Sequence, residues 1–222
     1  MKPLLYLLFL FSTIVIGQQN SAFQNEVLAL QMKYDTIWDV KKETIVFTGS
    51  SSIRMWKNLE AMFPDHQIVN TGFGGSQASD LLKYEQELIL KFKPKMVFIY
   101  EGDNDIVSHK KPREIIGTTK QIISNIKKSG NDVQIILIAA KPSISRWGYK
   151  RTYKKLNRKF KKLARKESGV EYADVWSAML DGKNVKQDIF LADKLHMNQK
   201  GYDLWFSVIA PFMNTKNTYS LK

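Results

Sequence analysis

Thr44-Ile45-Val46-Phe47-Thr48 is a β-branched and aromatic run that stops at Gly49 and three consecutive serines, Ser50, Ser51 and Ser52. The run is short and does not alternate between polar and apolar, which predicts a strand buried on both faces, as in a parallel sheet. Similar runs follow at Gln67 to Asn70, at Lys95 to Tyr100 after the breaker Pro94, and at Val133 to Ala140 before Pro142. A weaker one spans Val170 to Asp174. Between them the apolar period lengthens to that of a helix. Residues 22–40 place Phe23, Val27, Leu30, Tyr34, Ile37 and Trp38 on one helix-period stripe. Helices are likewise predicted over Ile53 to Phe63, Ala78 to Phe92, Glu114 to Lys128, Tyr149 to Lys166 and Asn198 to Met213. Strands alternating with helices imply βαβ units. Right-handed crossovers then give an α/β fold, a three-layer α/β/α sandwich around a central, about five-stranded parallel sheet. Ligands on such sheets bind beyond the carboxyl ends of the strands.

The 222 residues suit one domain with a sizeable core. No cysteine is present, which excludes disulfides, thiolate nucleophiles and Cys-ligated metals. Lys2 followed by the apolar run Leu4 to Ile16 reads as a secretory signal, too short to span a bilayer comfortably. Residues 1–17 are therefore expected to be removed, with cleavage after Gly17 or Ala22, leaving 18–222 as a single domain exported to the periplasm or the medium. The formal net charge of +13 favours anionic surroundings such as acidic polymer or anionic lipid. Nucleic acid fits on charge alone, but export argues against it. A well-solvated basic surface is the plainest reading.

Four segments fall just after predicted strands or near the C-terminus. Gly49-Ser50-Ser51-Ser52 puts a hydroxyl at a strand-to-helix turn, where backbone N–H groups stabilise negative charge; serines there also serve as helix caps. Gly72-Phe73-Gly74-Gly75 is a glycine-rich turn in which Gln77 breaks the dinucleotide fingerprint. Gly102-Asp103-Asn104-Asp105 lacks calcium-loop spacing and is equally ordinary turn chemistry. Asp193-Lys194-Leu195-His196 pairs a carboxylate with an imidazole three residues on, a spacing that lets the carboxylate reach one ring nitrogen while the other faces a serine. Of the three histidines, His66 precedes the second strand, at the wrong end of the sheet. His109 follows the third strand without a local carboxylate to orient it.

These four segments, in this order and over nearly all of the chain after residue 17, resemble the blocks of the SGNH (GDSL-type) hydrolase family. The first departs from Gly-Asp-Ser-Leu: Ser50 stands for the aspartate and Ser52 for the leucine. Counting from Gly49, and back from Trp56, gives Ser51 as nucleophile, with Ser52 and then Ser50 as alternatives. The resemblance implies a flavodoxin-like SGNH fold and carboxylic ester hydrolysis without cofactor or metal. Catalytic roles fall to Ser51, Asp193 and His196, and an oxyanion hole to the Ser51 and Gly75 amides and the Asn104 side chain. With no evident lid or long apolar insertion, the expected substrate is a short, acetyl-like ester of a carbohydrate or small alcohol. Trp56, Phe73, Trp147 and Tyr149 could form a sugar platform, though core packing is the plainer role for each. Two rivals stand: a lysophospholipase or platelet-activating-factor-acetylhydrolase-like lipid esterase, and a non-catalytic module that docks anionic polymer or membrane through the basic helix expected near 149–166.

Overall fold

β1 (Thr44–Gly49) is buried at every position. In the computed structural model, which describes residues 23–130 and 132–213, it lies inside a five-stranded sheet. The other strands are β2 (Gln67–Gly72), β3 (Met96–Tyr100), β4 (Gln134–Ile138) and β5 (Val170–Ala173), and the order is β2-β1-β3-β4-β5. All four pairings are parallel. The expected α/β/α sandwich is therefore present. The expected signal segment lies outside the described residues. Among the described residues, no helix is long and apolar enough to cross a membrane.

A helix over residues 23–37, α1, lies along the edge strand β2. The Asn70 amide donates to Tyr34 Oη at 2.7 Å, and the Asp39 amide to Gln67 Oε1 at 2.9 Å, so outward-facing groups of β2 find partners. One sheet face carries Phe47, stacked on Phe98 with centroids 4.3 Å apart. Over it pack α2 (Ser51–Arg54), α3 (Leu59–Met62) and α10 (Gln199–Met213), whose Trp205 meets Trp56 at 5.9 Å and Tyr100 at 5.0 Å. The other face is covered by α4 (Ala78–Lys83), α5 (Glu85–Leu88), α6 (Asp103–Val107), α7 (Pro112–Lys128) and α8 (Lys150–Ala164). Short α9 (Val175–Ala178) and the hairpin β6 (Leu180–Asp181) and β7 (Asn184–Val185) lead to α10.

Two helix expectations need correction. The predicted helix from Ile53 to Phe63 is α2 and α3 separated by a turn, because Trp56 leaves the helical path to stack on Tyr202 at 5.3 Å. The predicted helix from Ala78 to Phe92 is α4, α5 and a 3₁₀ turn at Leu90–Phe92. The aromatic platform also changes: Trp56 and Phe73 are 1% and 0% exposed and belong to the core.

The parallel register aligns the strand ends that matter. Gly49 is level with Gly72 on one side and Tyr100 on the other. The chain leaves all three strands at one edge, and the loops are laced there. The Ser50 amide donates to Tyr100 O at 3.1 Å, and the Phe73 amide to Gly49 O at 2.8 Å. Gly49 adopts φ +124°, and a Cβ there would lie 2.0 Å from Tyr100 O, so no other residue fits without moving β3.

Candidate active site

Ser51 is the first residue of α2, two residues beyond the end of β1. Its Oγ lies 3.0 Å from His196 Nε2, and His196 Nδ1 lies 2.5 Å from Asp193 Oδ2. The second oxygen of Asp193 accepts the backbone amides of Leu195 and His196, each at 2.9 Å. The carboxylate thus closes its own turn and grips the ring that follows it. Left-handed Lys194, φ 58°, makes the turn tight. Leu191 N–H to His196 O at 2.8 Å, a bridge between Phe190 and Met197, and Asn198 Nδ2 to Asp188 O at 2.8 Å fasten the loop to itself.

The three serines separate by environment. Ser50 and Ser52 are 2% and 3% exposed. The Ser52 side chain faces the buried Tyr100 phenol, and its carbonyl accepts from Tyr202 Oη at 3.1 Å. Ser51 is half-buried and points at the imidazole. His66 sits before β2 at the opposite end of the sheet. His109 sits on the active side, its ring 6.4 Å from that of Tyr149.

The loops that leave β2 and β3 at the same edge of the sheet as Ser51 carry groups able to donate to an anion. Among the described residues, neither the Ser51 nor the Gly75 amide donates to an acceptor. Gly75 has φ +79° in open space, which turns its N–H in a direction L-residues rarely adopt. Asn104 Nδ2 donates to Ser76 O at 2.8 Å, which leaves its second N–H free, while Asn104 Oδ1 accepts from Arg146 Nη1 at 3.1 Å. The two partners fix which way the amide faces. Glu101 holds Ser76 at 2.7 Å, and Asp105 accepts the Ala78 amide at 3.1 Å. The segment after β3 therefore pins the glycine turn after β2.

Beneath lies a charged layer that sequence reasoning missed. Asp103 is 5% exposed; it accepts from Arg146 Nη1 at 2.7 Å, from the Tyr153 phenol, and from Tyr100 Oη at 3.2 Å. Burial would raise its carboxyl, but the charges of Lys141 and Arg146, with the bonds from Tyr153 and Arg146, hold it below the ordinary range. Lys141, 1% exposed, donates to Leu195 O at 2.7 Å, next to His196. Desolvation lowers its ammonium to about 8, with Asp103 and Asp193 pulling the other way. Asp193 is pushed up by desolvation, but the His196 ring and the two amides outweigh this and bring it to about 2. Arg146 and Lys141 follow β4, so the strand-end rule applied to Lys141-Pro142-Ser143-Ile144-Ser145-Arg146 would have found them. Among the described residues, no group of three or more His, Asp or Glu is arranged to hold a metal ion.

The fold is shared with solved structures of low identity. A Streptococcus pneumoniae protein, described provisionally as a platelet activating factor, superposes with a TM-score of 0.76 at 22% identity, covering 91% of this chain and 99% of that one. A GDSL-like lipase from Bacteroides thetaiotaomicron gives 0.70 at 18%, covering 82% and 96%. A mutant acetyl-xylooligosaccharide esterase from Geobacillus stearothermophilus gives 0.66 at 18%, covering 78% and 95%. No curated protein matches the chain significantly. The sequence profile of the GDSL-like Lipase/Acylhydrolase family matches residues 44–204, a span that runs from β1 through the Ser51, Asn104 and His196 segments into α10, so the chain belongs to that family and is a carboxylic ester hydrolase.

Proposed function

We propose that the protein cleaves short-chain carboxylic esters, acetyl esters of a carbohydrate or small alcohol, through an acyl-enzyme on Ser51. The observation that carries this is the hydrogen-bonded line from Ser51 Oγ through His196 to Asp193 Oδ2. Because the Asp193 carboxylate accepts a hydrogen bond from Nδ1–H and so holds the proton on that nitrogen, Nε2 faces the hydroxyl as an acceptor. His196 removes the Ser51 proton as Oγ attacks the ester carbon. The oxyanion receives the amides of Ser51 and Gly75 and the free N–H of Asn104, each such donor being worth about 3 kcal/mol. The alcohol leaves with the proton from His196. Water then attacks the acyl carbon, gives its proton to His196, and releases the acid as Ser51 regains a proton.

Support for a short acyl group comes from the rim of the site. The turn between β2 and α4 is only five residues long, 73–77. Similarity in fold to an acetyl-xylooligosaccharide esterase, over 95% of that chain, agrees. The lipid-esterase reading draws on the basic face of α8. Family membership sets aside the non-catalytic module. For residues 1–17 we propose a cleaved export signal, checked by N-terminal sequencing of exported protein, which should start near Gln18 or Phe23.

A p-nitrophenyl ester series tests the reading. Acetate should be turned over fastest, and Ser51→Ala should abolish turnover. An organophosphorus probe should label Ser51 alone. An adduct on Ser50 or Ser52 would refute the nucleophile, and a preference for long acyl chains would favour the lipid esterase.

A further inference from the structure

Away from the Ser51 line, α8 and the edge strand β5 enclose a groove of about 560 Å³. Arg151, Lys154, Arg158 and Lys161 line one wall, Tyr172 and Trp176 the other, and Asp174 also contributes. The four cations lie at i, i+3, i+7 and i+10, one face of the helix, spanning about 15 Å of its axis. All four are exposed, and among the described residues none is in an ion pair. Asp174 is occupied in capping α9, through Ser177 N and Oγ at 3.1 and 3.0 Å. The folded chain gains nothing from this arrangement. Like charges three and four residues apart weaken a helix. Lys150 and Arg151 also stand in the first turn, where no acidic residue offsets them and the macrodipole disfavours cations. An anion in the groove would relieve both effects.

The groove is also linked to the active site. Trp176 stacks on Trp147, with centroids 5.9 Å apart and planes 18° apart. Trp147 follows Arg146, which donates to Asn104 Oδ1. Trp176 in the groove wall is therefore connected to Asn104 through Trp147 and Arg146.

We infer that this groove binds an extended anionic glycan, a chain of carboxylate-bearing sugars, and thereby presents its ester groups to Ser51. The inference rests on the carbohydrate-ester reading above, because a polymer held here matters to catalysis only if it carries the scissile ester. A concave, aromatic-walled channel suits a chain better than a bilayer. A membrane-seeking face pairs cations with insertable apolar side chains, and among the described residues Tyr149 is the only exposed large apolar residue that adjoins α8 in sequence.

The test uses the full chain carrying Ser51→Ala, so that binding is read without turnover, with polygalacturonate and neutral dextran as probes in calorimetry. Polygalacturonate should bind, dextran should not, and affinity should fall as salt is raised. The triple variant Lys154→Gln/Arg158→Gln/Lys161→Gln should lose at least tenfold in affinity. Lys41→Gln/Lys42→Gln/Lys95→Gln removes the same charge at the other end of the sheet and should lose less than twofold. Equal loss in both variants would mean nonspecific attraction and overturn the site. Equal binding of dextran, or tighter binding of phosphatidylglycerol vesicles or duplex DNA through the same cations, would overturn it too. Wild-type turnover of p-nitrophenyl acetate is measured separately, so failure of the ester-hydrolase reading is distinguishable from failure of the groove.

Discussion

Asn104 is held from both ends, its nitrogen by Ser76 O and its oxygen by Arg146. A side-chain amide can turn over at little cost unless something distinguishes its two ends, and a guanidinium can pair only with the oxygen. Asn104→Ala should lower kcat about a hundredfold or more with a smaller change in KM, because the amide meets full charge only in the transition state. Arg146 is a positioning residue in this scheme. Arg146→Gln should lower kcat by roughly tenfold, less than the loss of one donor, since the amide remains but is free to turn. A rise in KM alone would place Arg146 in substrate binding. The same variant leaves the Asp103 carboxylate buried with one partner fewer, a change that costs about 3 kcal/mol or more, so turnover must be referred to folded protein. At the other end of the site, Asp193→Asn should reduce kcat less than His196→Ala, because the base survives while its tautomer and orientation suffer. His109→Ala as the dead variant, with His196→Ala active, would refute the assignment.

Among the elements, β1 was fully legible, because a buried parallel strand announces itself by β-branched and aromatic residues without alternation and ends at a glycine. The long amphipathic helices α7, α8 and α10 were legible to within two residues for the same kind of reason, a sustained period. What misled was apolar spacing that crosses a turn. Ile53, Trp56, Leu59 and Phe63 are all buried, yet the chain bends between α2 and α3 and each reaches the core from a different direction. The strands β6 and β7, two residues each, are too short to carry any period. The Asp193 and His196 pair was readable because their geometry is local, whereas Arg146 and Lys141 act only because the sheet brings the end of β4 beside that of β3. Glycines give the test at this scale. Gly49→Ala forces a Cβ to 2.0 Å from a backbone oxygen that cannot yield, and should destabilise by about 4 kcal/mol or more in urea unfolding. Gly75→Ala meets no atom within 4 Å but keeps φ +79°. It should cost only about 1–2 kcal/mol while lowering kcat, since it disturbs the direction of a donating amide. Equal destabilisation by the two would mean that the crossing of β1 and β3 is looser than described.

At the scale of the whole molecule, several ionisable groups are buried, and they give stability a pH dependence of two opposite signs. Stability rises with pH wherever the unfolded chain holds more protons than the native one. Glu101 is 3% exposed, and desolvation, with the nearby Asp105, pushes its carboxyl well above the usual range. The hydrogen bond that Ser76 Oγ donates to Glu101 Oε1 at 2.7 Å pulls the other way, but burial outweighs it. Above the ordinary value of 4.5 the unfolded chain releases the Glu101 proton and the native one keeps it, so stability falls as pH rises through that window. Glu85 and Asp105, also raised by burial, act in the same direction. Lys141 acts in reverse. Its ammonium titrates at about 8 in the fold against 10.5 ordinarily, so between those values only the unfolded chain is protonated, and stability rises with pH. The urea midpoint of the wild type should therefore decline on leaving mildly acid solution and recover between about pH 8 and 10. Glu101→Gln should flatten the decline. Lys141→Met should remove the recovery whatever it does to the baseline, because the slope depends on the titrating group alone. A recovery of undiminished slope in Lys141→Met would mean that the proton belongs to another residue, and that the cation beneath the His196 loop keeps its charge throughout.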